Sequence, residues 1–206
     1  MGQIVCYGDS NTWGYHAETG ERLPREKRWT GILQQLTGPE AVVAEEGMCG
    51  RTAVLDDPLG RGRNGREALY VCLSTHMPVD LLVLMLGTND VKSRFSLSAQ
   101  EITQGISLLL GDARSILSMQ QGGVPPVLVI APVPVSPETQ FAEFLPDGPE
   151  ISKRLPAHIR QLAKEQRALF LDASKHARVD PADGVHLSEE SQYPLAEAVL
   201  KIWKEI

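Results

Sequence analysis

Four short polar segments hold side chains whose types and spacing could support nucleophilic catalysis. Residues 8–11 read Gly-Asp-Ser-Asn and offer a hydroxyl, whereas residues 183–186 read Asp-Gly-Val-His and offer an imidazole with a carboxylate three positions before it. Residues 47–51 and 87–90 add several glycines and the amide of Asn89. Such catalysis requires a nucleophile, a base within hydrogen-bond reach, a carboxylate that orients the base, and donors for an oxyanion. The four segments contain a candidate for each of these parts.

Each segment on its own has an ordinary structural explanation. A Gly-Asp-Ser tripeptide is more often a turn with a side-chain-to-backbone hydrogen bond than a nucleophile. Asn89 alone would suit a turn, and His186 could begin a helix or lie at the surface, with Asp183 as a local salt-bridge partner. The catalytic interpretation therefore depends on whether the fold brings the segments together.

The elements that must position these segments alternate between strands and helices. Continuous apolar runs predict strands at residues 3–7, 41–44, 80–86, 126–131 and 168–171. Apolar periodicity and capping signals predict the main helices at residues 29–36, 67–76, 98–120, 149–166 and 188–206. Strands without alternating polarity are typical of a sheet covered on both faces. The sequence thus predicts one α/β domain over residues 1–206, a three-layer α/β/α fold of flavodoxin-like type with a five-stranded parallel sheet.

The predicted topology places all four polar segments at one edge of the sheet. Residues 8–11 and 87–90 directly follow the first and third strands, and residues 47–51 follow the second. Residues 183–186 lie between the fifth strand and the last helix. Ligands of open parallel sheets bind beyond the carboxyl ends of the strands. We therefore expect the hydroxyl, the imidazole and the amide to converge on one site.

These blocks give the chain a resemblance to the SGNH hydrolase family, also called the GDSL family. Tyr-Gly-Asp-Ser at 7–10, Gly-Thr-Asn-Asp at 87–90 and Asp-Gly-Val-His at 183–186 occur in the family's order over nearly the whole chain. Three further segments look most like the family's bacterial arylesterase and acyltransferase subgroup: residues 28–31, 45–47 and 85–90. The resemblance implies an SGNH hydrolase fold.

The resemblance also implies a role for individual residues of these motifs. Ser10 would be the nucleophile, His186 the base that takes its proton, and Asp183 the acid that orients His186. The side-chain amide of Asn89 and the backbone N–H groups of Ser10 and Gly50 would bind the oxyanion.

The second block departs from the family's pattern and leaves one oxyanion donor open. Glu45 stands where the family usually has Asn, and Arg51 follows Gly50. Gly47 therefore competes with Gly50 for the role of backbone donor.

The residues expected to form the substrate pocket are Asp9, Trp13, Tyr15 and Phe141. Trp13 would either narrow the acyl side of the pocket or pack against the edge of the sheet. Phe141, together with Phe144, would either line the side of the pocket that holds the alcohol group or form a contact between subunits. A narrow apolar acyl pocket would favour acetyl-sized groups.

The expected activity is the hydrolysis of small carboxylic esters, aryl or short-chain alkyl esters of acetyl type, through an acyl-enzyme. Acyl transfer to added alcohols is a further expectation from the subgroup resemblance. Alternatives within the family are a thioesterase, a lysophospholipase or a carbohydrate acetylesterase. An alternative of another class is a flavodoxin-like binding module, whose first loop cradles phosphate with backbone N–H groups. Asp9 argues against that alternative because its carboxylate would repel phosphate.

Composition and charge exclude several kinds of partner. The chain has 20 Lys and Arg against 26 Asp and Glu, a formal net charge of −6, so we expect neither nucleic acid nor a membrane as partner. The basic residues Arg61, Arg63 and Arg66 are interpreted as a solvated loop rather than an anion site. A small-molecule ester is the expected partner, and the subgroup resemblance adds a homo-oligomer with residues 141–149 as the candidate contact.

We expect no cofactor and no metal ion. Four further histidines are scattered without ligand spacing: His16, His76, His158 and His176. Three separated cysteines, Cys6, Cys49 and Cys72, predict reduced thiols in a cytoplasmic protein. The N-terminus lacks the pattern of a signal peptide, although a segment removed earlier would leave no trace.

Overall fold

The centre of the protein is a parallel β-sheet of five strands, seen in a computed structural model that describes residues 2–206. The strands are β1 (Gly2–Gly8), β2 (Ala41–Gly47), β3 (Leu81–Met85), β4 (Val127–Ala131) and β5 (Leu169–Asp172). They pair in the order β2-β1-β3-β4-β5, and all four neighbouring pairs are parallel. The predicted fold class is confirmed.

Helices cover both faces of this sheet. They are α1 (Ser10–Trp13), α2 (Trp29–Thr37), α3 (Gly65–His76), α4 (Ala99–Gln121), α5 (Gly148–Glu165) and α6 (Glu189–Glu205). Helices α2 and α6 pack on one face and build one apolar core with it. Helices α3, α4 and α5 pack on the other face and build the second core. None of the helices described between residues 2 and 206 combines the length and apolarity needed to cross a membrane.

Strand β1 explains why the strands lack alternating polarity. Ile4 and Cys6 point into the core beneath α2 and α6, whereas Val5 and Tyr7 point into the opposite core. All four side chains are fully buried because successive side chains of a strand point to opposite faces, and both faces are covered. The central strands must therefore be apolar at nearly every position.

Strand β2 extends three residues beyond its predicted end. Its last part contains Glu45 and Glu46, which are unusual in a strand but lie on an edge strand with partners for their charges. Glu45 accepts from Arg28 at 2.6 Å, and Glu46 contacts Nε2 of His76 at 2.7 Å. The sequence pattern missed this extension because polar contacts with other elements, and not apolar burial, hold the carboxylates in place.

Candidate active site

Ser10 lies at a sharp turn where β1 passes into α1. The carboxylate of Asp9 caps this short helix by accepting from the backbone N–H of Asn11 at 2.9 Å. The turn requires glycine at position 8, because a Cβ there would lie 2.1 Å from the hydroxyl of Thr12 and 2.7 Å from the carbonyl oxygen of Met85. The Ser10 hydroxyl is thereby held at the carboxyl end of β1.

A second turn, in the loop before α6, presents His186 to the same edge of the sheet. Gly184 adopts φ = 73°, a left-handed conformation that favours glycine. Its carbonyl accepts from the N–H of Ser136 at 2.8 Å, and the carbonyl of Asp183 accepts from the hydroxyl of Thr139 at 2.7 Å. These bonds anchor the loop to the segment after β4 and fix the positions of both Asp183 and His186.

The fold brings the serine, the histidine and the aspartate into one chain of contacts. Nε2 of His186 lies 2.9 Å from Oγ of Ser10, across 176 residues of sequence. Nδ1 of His186 lies 2.6 Å from Oδ2 of Asp183. This is the arrangement in which an imidazole can accept a proton from a hydroxyl while a carboxylate fixes the imidazole's tautomer.

Asp183 is kept ionised by the groups around it. Burial alone would raise its pKa, but hydrogen bonds from the His186 side chain and from the backbone N–H groups of Val185 and His186 outweigh burial and hold the pKa below its ordinary value. The ring of Tyr15 stacks on the imidazole, with centroids 4.0 Å apart. The orientation of His186 is therefore fixed by contacts on its edge and on its face.

Asn89 and Gly50 lie beside Ser10 and line the same cavity. One N–H of the Asn89 amide donates to the carbonyl of Arg51 at 3.1 Å, so a second N–H of the same group remains for a ligand. Gly47, the competing donor, ends β2 with its α-carbon against the backbone of Trp13, where a Cβ would lie 2.1 Å from the Trp13 nitrogen. The geometry therefore favours Gly50 over Gly47.

The cavity over Ser10 has a volume of about 390 Å³. Tyr15 and Phe141, two of the residues expected in the pocket, line it. The remaining lining includes an apolar group formed by Leu59, Phe144, Leu145 and Val185. A cavity of this size and character accommodates a small, partly apolar ligand.

Asp9 and Trp13, also expected in the pocket, lie away from its lining, and this corrects the prediction. Asp9 is buried and turned toward the backbone of α1, whose first turn it caps. Trp13 packs its backbone against Gly47 at the edge strand, and its ring faces the guanidinium of Arg22 at 5.3 Å. Of the two alternatives for Trp13, the structure favours packing against the edge of the sheet.

Two buried residues that sequence reasoning did not assign to the site hold its loops together. Oδ1 of Asn11 accepts from the backbone N–H of Leu187 at 2.9 Å and so ties the Ser10 turn to the His186 loop. The Arg51 guanidinium donates to the carbonyls of Gly8 (2.9 Å) and Glu46. The only sequence signal for either residue was its position next to a motif residue.

The basic residues near position 63 do not form a uniformly solvated loop, which corrects that prediction for Arg63. Arg61 is exposed, and Arg66 forms a surface pair with Asp112 at 2.5 Å. Arg63 instead pairs with the buried carboxylate of Asp57 at 2.7 Å and lines the cavity.

Within residues 2–206, one group of side chains has the composition of a metal site. The ligand atoms of Glu46, Cys72 and His76 lie within 4.8 Å of one another, and Cys72 and His76 lie four positions apart on α3. Burial, and next the charge of Glu46, raise the pKa of Cys72 to about 12, so its sulfur is a neutral thiol. We assign the group as a Glu46–His76 pair, 2.7 Å apart, beside a buried thiol.

The chain resembles a known family and solved structures over nearly its whole length. Residues 6–192 match the model of the GDSL-like lipase/acylhydrolase family. A carbohydrate acetylesterase from Sinorhizobium meliloti is 34% identical, with a TM-score of 0.94 and 100% coverage of both chains. The aryl esterase of M. smegmatis is also 34% identical, with a TM-score of 0.94, covering 100% of this chain and 99% of its own.

A third structure extends this similarity. A carbohydrate acetylesterase family member from Sinorhizobium meliloti is 36% identical, with a TM-score of 0.93, covering 100% of this chain and 98% of its own. No curated protein sequence gave a significant match. The similar structures include both of the esterase types, aryl and carbohydrate, that were considered from the sequence.

Proposed function

Because the chain belongs to the GDSL-like lipase/acylhydrolase family, as its motifs predicted, we propose that it is a serine esterase that cleaves small carboxylic esters through an acyl-enzyme. One observation carries the proposal: Ser10 Oγ, the imidazole of His186 and the carboxylate of Asp183 form a continuous chain of contacts of 2.9 and 2.6 Å. A flavodoxin-like binding module would not require these contacts. The match to the family model also argues against that alternative.

The reaction begins when His186 takes the proton of the Ser10 hydroxyl and Oγ attacks the ester carbonyl carbon. The carbonyl π bond opens, and its oxygen becomes a negatively charged oxyanion. The intermediate collapses as the bond to the alcohol oxygen breaks, and His186 returns the proton to that oxygen. In the second half of the reaction His186 takes a proton from water, whose oxygen attacks the acyl carbonyl carbon; the bond from that carbon to Ser10 Oγ then breaks, Oγ regains the proton from His186, and the acid is released. Asp183 remains an ionised carboxylate throughout and stabilises the imidazolium.

The oxyanion is assigned to three donors. They are the backbone N–H groups of Ser10 and Gly50 and the side-chain amide of Asn89, all three residues lining the one cavity. Donors of this kind lower the barrier most when they are fixed before the charge develops. The hydrogen bond from Asn89 to the carbonyl of Arg51 supports such preorganisation, because it fixes the orientation of the amide.

The cavity supports acetyl-type esters of aryl or small alkyl alcohols as substrates. Its volume of about 390 Å³ and the rings of Tyr15 and Phe141 leave room for a small acyl group and a ring-sized alcohol. The similarity to the M. smegmatis aryl esterase points the same way. A second candidate is a carbohydrate acetylesterase, favoured by the two similar Sinorhizobium meliloti structures.

Acyl transfer to alcohols is a further part of the proposal, supported by the apolar lining around Phe141 and Phe144. An apolar alcohol that occupies this lining would compete with water for the acyl-enzyme. Vinyl acetate with benzyl alcohol in buffer measures the competition. Benzyl acetate is the expected product beside acetate, and hydrolysis without any benzyl acetate would refute acyl transfer.

The central test is a panel of 4-nitrophenyl esters from acetate to palmitate, run with wild type and Ser10→Ala. We expect the highest kcat/KM for acetate and a loss of at least about 10³-fold in kcat for the variant, because removal of the nucleophile leaves only binding and electrostatic effects. Ser115→Ala, which removes an exposed hydroxyl on α4, is the matched control. Wild-type turnover by Ser10→Ala would overturn the proposed function, whereas acetylated sugars tested alongside separate the aryl from the carbohydrate candidate.

A further inference from the structure

The cavity over Ser10 has a cationic side as well as an apolar one. Arg63, Lys92 and Arg94 line it together, and none of its lining residues, as far as residues 2–206 are described, is an Asp or Glu. The chain as a whole carries a formal charge of −6. Three cations around one cavity in an acidic protein are therefore a local feature and not a consequence of composition.

Two of these cations share a single carboxylate. Asp57 accepts from Nη1 of Arg63 at 2.7 Å, and from Nε and Nη2 of Arg94 at 3.1 Å each. Burial acts to raise the pKa of Asp57, but these hydrogen bonds, together with one from the backbone N–H of Leu59, outweigh burial and hold the pKa far below the usual value. Asp57 is therefore ionised, and because its one negative charge meets two guanidinium groups, the group of three retains a positive charge.

Lys92 has no acidic partner within residues 2–206. Its ammonium group forms neither a salt bridge within 4.0 Å nor a side-chain hydrogen bond there, although the side chain is half-buried. The charged and titratable groups near it are Arg63 and Arg94, which line the same side of the cavity, Asp57 between those two, and the buried Asp9 and Asp90. Because no carboxylate contacts this half-buried ammonium, its charge is only partly compensated, and an anion bound in the cavity would supply the missing contact.

We propose that the preferred substrates are esters that carry a carboxylate, bound against the cationic wall formed by Arg63, Lys92 and Arg94 while the ester carbonyl lies at Ser10. The inference rests on the proposed esterase function and names the substrate class of that site. The ester carbonyl is the reacting group and the carboxylate is not, so the charge contact is the same in the ground state and the transition state. It therefore raises kcat/KM chiefly by lowering KM.

The test compares 4-acetoxybenzoate with 4-acetoxybenzamide, which has nearly the same shape and no charge. Each kcat/KM is divided by the rate of alkaline hydrolysis of the same ester, which corrects for the two phenol leaving groups. For wild type at pH 7 and low salt we expect a normalised preference for the carboxylate of about 10-fold, decreasing as NaCl is added. A normalised ratio of about one or below would overturn the inference.

The variant Lys92→Gln removes the unpaired charge, and we expect its carboxylate preference to fall to between about one- and threefold. Because the preference is a ratio, a general loss of activity in the variant cancels. Lys201→Gln is the matched control: this lysine on α6 is 70% exposed and lies 3.7 Å from Glu197, and its removal should leave the ratio unchanged. An unchanged ratio in Lys92→Gln would also overturn the inference.

A measurement on the wild type keeps the inference testable if Lys92→Gln does not fold. Burial, and next the charge of Arg94, lower the pKa of Lys92 to about 8. The carboxylate preference should therefore decrease as the pH rises through about 8, while titration of groups common to both reactions cancels in the ratio. A preference that stays constant from pH 6.5 to 9.5 would contradict the role of Lys92.

Failure of the proposed esterase function would give a different result, because then neither ester would be cleaved in a Ser10-dependent reaction.

Discussion

At the scale of single residues, we propose that the side-chain amide of Asn89 has two functions. One N–H donates to the carbonyl of Arg51 at 3.1 Å and fixes the amide, and the other is assigned to the oxyanion. Truncation to alanine would remove the donor from the transition state without touching Ser10 or His186. We expect Asn89→Ala to lower kcat by roughly 10²–10³-fold with a much smaller change in KM, measured with 4-nitrophenyl acetate.

The structural function of Asn89 has to be separated from its catalytic one. Thr103→Ala is a suitable control, because it also removes a buried side-chain-to-backbone hydrogen bond, in this case to Ala99 at 2.8 Å within α4. Both variants should lower the thermal midpoint modestly, and only Asn89→Ala should lower kcat. A kcat within about threefold of wild type for Asn89→Ala would remove this residue from the oxyanion site.

The residues of the site differ in how well the sequence predicts them. Ser10, Asp183 and His186 belong to motifs whose residue types are themselves the signal, and each motif lies at a strand end. Asn11 and Arg51 act through contacts to backbone groups of other loops, as the bond from Leu187 to Asn11 shows across 176 residues. The local sequence does not indicate such long-range contacts, so the roles of these two residues can be recognised only in the folded structure.

At the scale of elements, the loop before α6 depends on one left-handed residue. Gly184 adopts φ = 73°, and a Cβ there would lie 2.8 Å from the α-carbon of Thr139 and 2.9 Å from the β-carbon of Ser136. Gly184→Ala must therefore shift the loop that carries Asp183 and His186. We expect a loss of stability of about 1–2 kcal/mol or more from the backbone conformation and the contact together, and a loss of kcat of at least about 10-fold.

Gly122 provides a matched control for this substitution. It follows α4 with the same φ of 73°, but a Cβ there would meet nothing within 4 Å. Gly122→Ala should therefore show the conformational penalty alone, with kcat unchanged. Urea unfolding and 4-nitrophenyl acetate turnover for the two variants separate strain from displacement of the site. Equal kcat values would show that the Gly184 turn does not position the triad.

At the scale of the whole molecule, the five-stranded sheet could be predicted because burial on both faces imposes continuous apolar runs on β1, β3 and β4. Helix α4 could be predicted to within a residue or two because Ser98 and Glu101 form a capping box and Gly122 ends the helix. The end of β2 could not, because its carboxylates are held by polar contacts with side chains from other elements. The cationic wall was missed for the same reason, since Asp57 brings Arg63 and Arg94 together only in three dimensions.

The carboxyl groups of the folded molecule fall into two sets, whose contributions to stability change with pH in opposite directions. Burial raises the pKa of Asp9 to about 6 and that of Asp90 to about 7. For these two, the native state holds protons that the unfolded chain releases near pH 4, so their contribution to stability is lost as the pH rises through the folded pKa values. Asp57 and Asp183 have lowered pKa values and stabilise the native state above about pH 4, an effect lost as the pH falls.

The variant Asp90→Asn tests the loss of stability with rising pH that follows from a raised carboxyl pKa. The amide oxygen can still accept the N–H of Ala53, as the carboxylate does at 3.0 Å, but the side chain no longer titrates. Relative to wild type, the variant should gain about 2–3 kcal/mol in the free energy of unfolding between pH 5 and pH 8, measured by urea denaturation. Asp112→Asn, at a half-exposed surface pair with Arg66, should show little change over the same interval. If Asp90→Asn differs from wild type by the same amount at both pH values, Asp90 is ionised throughout this range.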